Sequence, residues 1–197
     1  MKEFFMKKDT YILGFFMGSF FAYIGTTVFI PTYLEKAITP NNQVVLPPPY
    51  TFIFFLLELF LVYIGIVVGA VWTQKVRKRR PVMVIGGIFA GITALLSFLP
   101  TIHDSSMFSS VFKMITVFFV CIALAAWTYV INEVSIDSGK QIGAILTIAA
   151  LIGCINPVIQ GFLLSNDMFE MGWIGSNALL LLMGVFGYLS PETGTIN

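Results

Sequence analysis

The sequence predicts an all-α integral membrane protein of six transmembrane helices, and three observations predict it. Only 11% of the residues are charged while 57% are hydrophobic. Soluble domains carry about a quarter charged residues, so this chain lacks the polar side chains to coat a soluble globule. Next, six apolar stretches each approach the roughly 20 residues that a helix needs to cross a hydrocarbon core. Finally, the basic residues gather in alternate connectors, as they do on one side of a membrane.

The stretches are 10–33, 50–72, 81–99, 111–131, 141–164 and 171–189, forming a single domain over 1–197. Lys2, Lys7 and Lys8 before the first give it the polarity of a signal peptide. Its apolar run continues to Tyr33 without a small-x-small cleavage site, which reads as a retained helix. The connector 34–49 ends in Leu46-Pro47-Pro48-Pro49, which favours an extended polyproline path into the second stretch. Short connectors at 73–80, 100–110, 132–140 and 165–170 separate the rest. In lipid every backbone amide needs an internal partner, so all six stretches should be helices. The pairs Gly14/Gly18, Gly65/Gly69 and Gly87/Gly91, each with three residues between, mark close helix–helix approach within the chain.

With a cytoplasmic N-terminus, nine of the eleven basic residues fall on the cytoplasmic side. They are Lys2, Lys7, Lys8, Lys75, Arg77, Lys78, Arg79, Arg80 and Lys140, leaving Lys36 and Lys113 outside. Positive-inside asymmetry of this size places both termini in the cytoplasm, as an even number of spans requires. Cys121 and Cys154 both lie in apolar stretches, where a disulfide is not expected.

Four features in chain order resemble the C-terminal six-helix half of a major facilitator superfamily transporter, nearest the organic-ion and synaptic-vesicle-protein-like branch. The segment from Gly69 to Pro81, ending Arg77-Lys78-Arg79-Arg80-Pro81, is similar to the family's G-x3-D-R-x-G-R-R loop, with Thr73 or Lys75 at its acidic position. Asn132-Glu133-x6-Lys140-x2-Gly143 looks like its Glu-x6-Arg-x2-Gly element, with Ile136 where a proline is expected. Gly153-x3-Pro157 and the closing Pro191-Glu192-Thr193 match two further family signatures. The resemblance implies half of a major facilitator fold, itself a three-plus-three inverted repeat, whose solute site near the midplane is completed by a second half. It implies a secondary transporter of a small organic solute, its partner being another copy of this chain or a separate one.

Glu58 is the lone acid deep in the second stretch, ~12 Å from its outer end at helical rise. An acid there costs roughly 2.5–3.5 kcal/mol on insertion scales, so it should face a cavity or a partner rather than lipid. It reads as a cation or proton site, or as a hydrogen-bonded structural residue. On the fifth stretch Ala149, Gly153, Asn156 and Gln160 share one helix face. Pro157 frees the carbonyl of Gly153, so Asn156 and Gln160 either line a polar solute site or tie two helices together. The second use is the commoner. Trp127 and Tyr129 offer rings to stack on an organic solute, or anchors at the membrane interface. Arg77, Arg79, Arg80 and Lys140 read as topological charges. A gate between the arginines and Glu133 or Glu192 is the sharper alternative, and Glu133 also has Lys140 within reach across a loop.

An enzyme lacks its parts here. His103 is the only histidine, and Asp104, Ser105 and Ser106 follow it consecutively rather than as a triad. No phosphate-binding loop and no Cys/His cluster occurs, so no cofactor or metal is expected. The basic cluster suits anionic lipid rather than nucleic acid. Besides the carrier, two alternatives remain: a degenerate carrier-like subunit of a larger membrane complex, or one part of a split or truncated gene.

Overall fold

The computed structural model describes residues 7–27, 48–97, 106–135, 139–166 and 168–193. Six helices and no strand occur among them: α1 (Lys8–Thr27), α2 (Pro48–Val76), α3 (Arg80–Leu96), α4 (Ser106–Val134), α5 (Gly139–Ser165) and α6 (Phe169–Leu189). Each predicted stretch overlaps one helix. Among the described residues, Phe55–Val76, Val111–Val134 and Gly139–Leu163 are long and apolar enough to cross a membrane. Arg80–Leu96 and Ile174–Leu189 form shorter apolar helices. Lys2, Lys36, the segment 34–47, His103 with Asp104 and Ser105, and Ile136 lie outside the described residues.

Two boundaries correct the sequence reading. Pro48 and Pro49 belong to the first turn of α2 rather than to a polyproline run. A proline costs nothing at that position, because the first amides of a helix have no intrahelical acceptor anyway. Helix α4 begins at Ser106, inside the expected connector 100–110. At the far end of α2, Arg77 adopts φ 53°, the left-handed conformation that terminates a helix.

The helices pack in a definite pattern. α1 lies on α5, α2 on α4 and α3 on α6, while α1 also touches α6 and α3 touches α4. Exchanging the first three helices with the last three maps this pattern onto itself. Directions follow from the registers. On the α2–α4 seam, Glu58 meets Lys113 and Gln74 meets Tyr129, both 55 residues apart, so the two helices run parallel. On the α1–α5 seam, Gly14 faces Ile148, Gly18 faces Ile152 and Ala22 bonds Asn156, again in a constant parallel register. Along α3 the order Met83, Gly87, Ala94 meets Ser190, Gly184, Asn177 on α6, so that pair is antiparallel. An exchange that reverses α3 into α6 is an inverted three-plus-three arrangement.

The three glycine pairs each occupy one of these seams, and all three are intramolecular. A Cβ on Gly65 would meet the carbonyl oxygen of Phe118 at 2.7 Å, and one on Gly69 would meet that of Ile122 at 2.7 Å. Gly87 similarly abuts the backbone of Gly184. Only a residue without a side chain allows such backbones to touch, which is what small-residue pairs contribute where no hydrophobic drive exists between helices. Residues around Leu13, Phe16, Met83, Val130, Ile145 and Leu180 fill the centre of the bundle. By contrast α2 and α5 present their outer faces, with Phe60, Tyr63, Leu151, Val158 and Phe162 exposed.

Leu13, near the start of α1, accepts a bond from Trp127, near the end of α4, so α1 and α4 run antiparallel. The starts of α1, α3 and α5 therefore share one end of the bundle with the ends of α2, α4 and α6. Every described basic residue except Lys113 lies at this end, called the basic end below.

Candidate functional site

Helices α1 and α2 barely touch one another, although α2 packs along α4. The result is a groove of about 670 Å³ with α4 as its floor and α1 and α2 as its walls. Helix periodicity sets the lining: Phe20, Tyr23 and Ile24 from α1, then Glu58, Val62, Ile66 and Ala70 at spacings of four along α2. From α4 come Lys113, Val117, Val120, Cys121, Leu124, Ala125, Thr128, Tyr129 and Asn132. The walls are apolar except at the two ends. Glu58 and Ala70 bracket ~18 Å of α2 at helical rise.

One end carries an ion pair, with Lys113 Nζ donating to Glu58 Oε2 at 3.2 Å. The side chains are 37% and 26% exposed, so the pair lies on the groove surface rather than inside the bundle. The other end is closed by polar contacts from α2 and α3. Gln74 Nε2 donates to Tyr129 Oη at 2.7 Å, and the Arg79 guanidinium lies 5.1 Å from the Tyr129 ring centre.

Arg79 links three elements at the basic end. Its Nη2 donates to Glu133 Oε1 at 2.7 Å, its Nη1 to the carbonyl of Thr73 at 2.8 Å, and its backbone N–H to Glu192 Oε1 at 2.9 Å. A guanidinium presents its donors in a rigid fork, which suits bridging a carboxylate and a carbonyl at once. Arg80 donates from Nε to the carbonyl of Ser190 at 3.0 Å and lies over the Tyr188 ring. Lys75, Arg77, Lys78 and Lys140 point outward and are exposed. Glu133 thus takes Arg79, not Lys140, as its partner: the Lys140 side chain is exposed at the start of α5, whereas Arg79 is held beside the end of α4.

Of the five residues considered for solute contact, Glu58 and Tyr129 reach the groove. Trp127 is buried and donates from Nε1 to the carbonyl of Leu13 at 3.2 Å, holding α4 against α1. Asn156 is buried and donates to the carbonyl of Ala22 at 2.6 Å. Gln160, 1% exposed, donates to the carbonyl of Gly172 and to Ser176 Oγ, each at 2.7 Å. Ser176 in turn donates to Asn156 Oδ1 at 3.3 Å. These amides join α5 to α1 and α6, the helix-tying use that the sequence left open.

Sequence reasoning passed over Lys113. In the expected stretch 111–131 it stands two residues in; with α4 beginning at Ser106 it stands seven residues into a helix parallel to α2, where Glu58 stands ten residues in. Tyr23, buried at the groove wall, had no signal beyond being a tyrosine in an apolar run. Both cysteines are free, Cys121 on the groove floor and Cys154 on the outer face of α5. No group of His, Cys, Asp or Glu among the described residues is arranged to hold a metal ion. No protein-family model, curated protein or solved structure matches the chain.

Proposed function

We propose that this chain is one half of a secondary transporter, crossing the membrane six times with both termini cytoplasmic and moving a small organic solute. The observation that carries the reading is the groove between α1, α2 and α4, with an ion pair at one end, polar side chains at the other and apolar walls between. A second six-helix half, another copy or a separate chain, would cover it. The inverted three-plus-three packing supports the reading, because carriers of this kind place their solute between two such halves and alternate access by rocking them. Arg79, with Glu133 and Glu192, serves as the gate at the cytoplasmic end; Arg77 and Lys140 serve topology, and Arg80 anchors α3 to the end of α6.

A second reading, a carrier-like structural subunit of a larger complex, is favoured by one observation. Trp127, Asn156 and Gln160 are all engaged in helix packing, leaving Glu58 and Tyr129 on the groove, with Tyr129 already held by Gln74 and Arg79.

One experiment separates the two. Val62→Cys, in a Cys121→Ser/Cys154→Ser background, is reconstituted in vesicles and exposed to an impermeant maleimide from each side in turn. A carrier half gives labelling from both sides, with the balance shifting when Arg79→Ala removes the gate. Labelling from one side only, unchanged by Arg79→Ala, together with recovery solely inside a large assembly, would leave the structural subunit.

A further inference from the structure

The groove holds one cation and one anion side by side at one end, hydroxyl and amide groups of Thr128, Tyr129 and Asn132 at the other, and an apolar middle between them. Resting on the reading of this groove as the solute path, we propose that its ligand is a single-chain zwitterionic amphiphile. The head carries adjacent positive and negative groups, as in a lysophospholipid, and the tail lies along Val62, Ile66 and Leu124.

Charge bookkeeping decides the head. Lys113 has three ammonium N–H groups and gives one to Glu58 Oε2. Among the described residues neither partner has another ion pair, so each keeps capacity for a second. A lone cation would have to draw Glu58 away and leave the ammonium uncompensated against apolar walls. A lone anion would do the same to the carboxylate. Either ligand would also bring a net charge onto apolar walls, which is disfavoured where lipid surrounds the site. A zwitterion adds no net charge: its cation meets Glu58, its anion meets Lys113, and the four charges alternate.

The walls decide the tail. Each hydroxyl of a sugar-like solute would lose water without gaining a partner beside Val62, Ile66 or Leu124, which is unfavourable for every such group. An alkyl chain gains from the same surface. The trough is also long and narrow in its chemistry, ~18 Å between Glu58 and Ala70. Ile24 and Ile66 are exposed at the lips of the groove, where α1 and α2 stand apart, and extend its apolar surface.

The test uses the full chain in maltoside micelles, where a neutral single-chain amphiphile is already in large excess. Val62→Cys, in the Cys121→Ser/Cys154→Ser background, reports the groove through its rate of maleimide labelling. Lysophosphatidylcholine should slow labelling, whereas an alkyltrimethylammonium salt, a fatty-acid salt and a monoacylglycerol should not. Glu58→Gln and Lys113→Gln should each weaken the protection roughly tenfold. The exchanged pair Glu58→Lys/Lys113→Glu should restore it, and gel-filtration profiles of the single variants that match the parent's would show that they had not simply unfolded. Equal protection by the monoacylglycerol, or protection by lysophosphatidylcholine that survives both single variants, would overturn the proposal. So would transport of another solute class with no lysophosphatidylcholine protection, which would leave the carrier reading intact. Protection without any transport would do the reverse, upholding the site and removing the carrier.

Discussion

Two seams of this molecule share a geometry and differ in chemistry. α1 on α5 and α2 on α4 are both parallel pairs in constant register, and each is drawn together by a glycine pair on its first member. On the α1–α5 seam the polar group is satisfied internally, Asn156 on the carbonyl of Ala22. On the α2–α4 seam the polar groups stand at the ends, Glu58 with Lys113 at one and Arg79 with Glu133 at the other, and a groove opens beside it. Duplicated packing therefore does not imply duplicated function. One seam can serve as the control for the other, because a substitution that acts only through packing should hurt both alike.

The largest effect should come from breaking the closer seam. In α2–α4 the neighbours of Gly69 are backbone atoms of Ile122, which cannot move without displacing the helix. In α1–α5 the nearest neighbour of Gly18 is the Cδ1 tip of Ile152 at 2.7 Å, which can turn aside, so that the Ile152 Cβ at 2.9 Å is left as the one fixed close contact. Gly69→Ala is expected to destabilise by about 3 kcal/mol and Gly18→Ala by about 1 kcal/mol, within the range for overpacking. Gly161→Ala, with open space at its Cβ, should gain about 0.5 kcal/mol from helix propensity alone. Unfolding titrations in mixed micelles would give the order, and equal losses at Gly69 and Gly18 would erase the distinction between the seams.

Next in size is the basic end. Arg79→Ala removes the charge-assisted bonds to Glu133 and the bridge to Thr73, a loss of about 2 kcal/mol for a pair that solvent partly reaches. Lys140→Ala, at an exposed site, should change stability by less than about 0.5 kcal/mol. If the two cost the same, Arg79 is no more engaged than its neighbours in the loop. On the opposite seam Asn156→Ala strips the carbonyl of Ala22 of a buried donor and should cost about 1.5 kcal/mol. The labelling rate of Val62→Cys should not move in that variant, since Asn156 does not line the groove.

The helices and the glycine seams were legible in the sequence because composition and short-range spacing encode them. An apolar run of 20 residues reads as a helix whatever packs on it, and Gly65 with Gly69 marks a close approach before the partner is known. The cluster at the basic end was half legible: Glu133 and Glu192 were both candidates for the arginines, but which arginine they meet depends on how α3 enters the bundle. The α2–α3 turn, with Arg77 in the left-handed conformation, directs Arg79 inward and leaves Lys78 outside. The amides on α5 were not legible as to role. Asn156, Gln160 and Gly153 share a face, and periodicity cannot say whether that face meets a cavity or a helix. It meets α1 and α6, because α5 packs there in parallel register. Lys113 was invisible for the matching reason: a lone lysine early in an apolar stretch reads as topology until α4 is laid beside α2.

The smallest expected effect on stability is also the sharpest test of what the α2–α4 seam does. Glu58 and Lys113 are each about a third exposed and joined by a single contact of 3.2 Å. Pairs so open contribute little, so Glu58→Gln and Lys113→Gln should each lower stability by about 0.5 kcal/mol or less. Their double variant should lose no more than either single one, since removing the first partner already removes the interaction. A carrier site predicts something different for access. With the charge gone, side-dependent labelling of Val62→Cys should no longer respond to solute, although the protein remains as stable as its parent. A structural pin predicts the opposite, a loss well above 1 kcal/mol in each single variant with access unchanged. The exchanged pair discriminates further. A pin should tolerate Glu58→Lys/Lys113→Glu in stability, because α2 and α4 still meet through opposite charges. A solute site should tolerate it only for a ligand that carries both signs, which can turn its head to match.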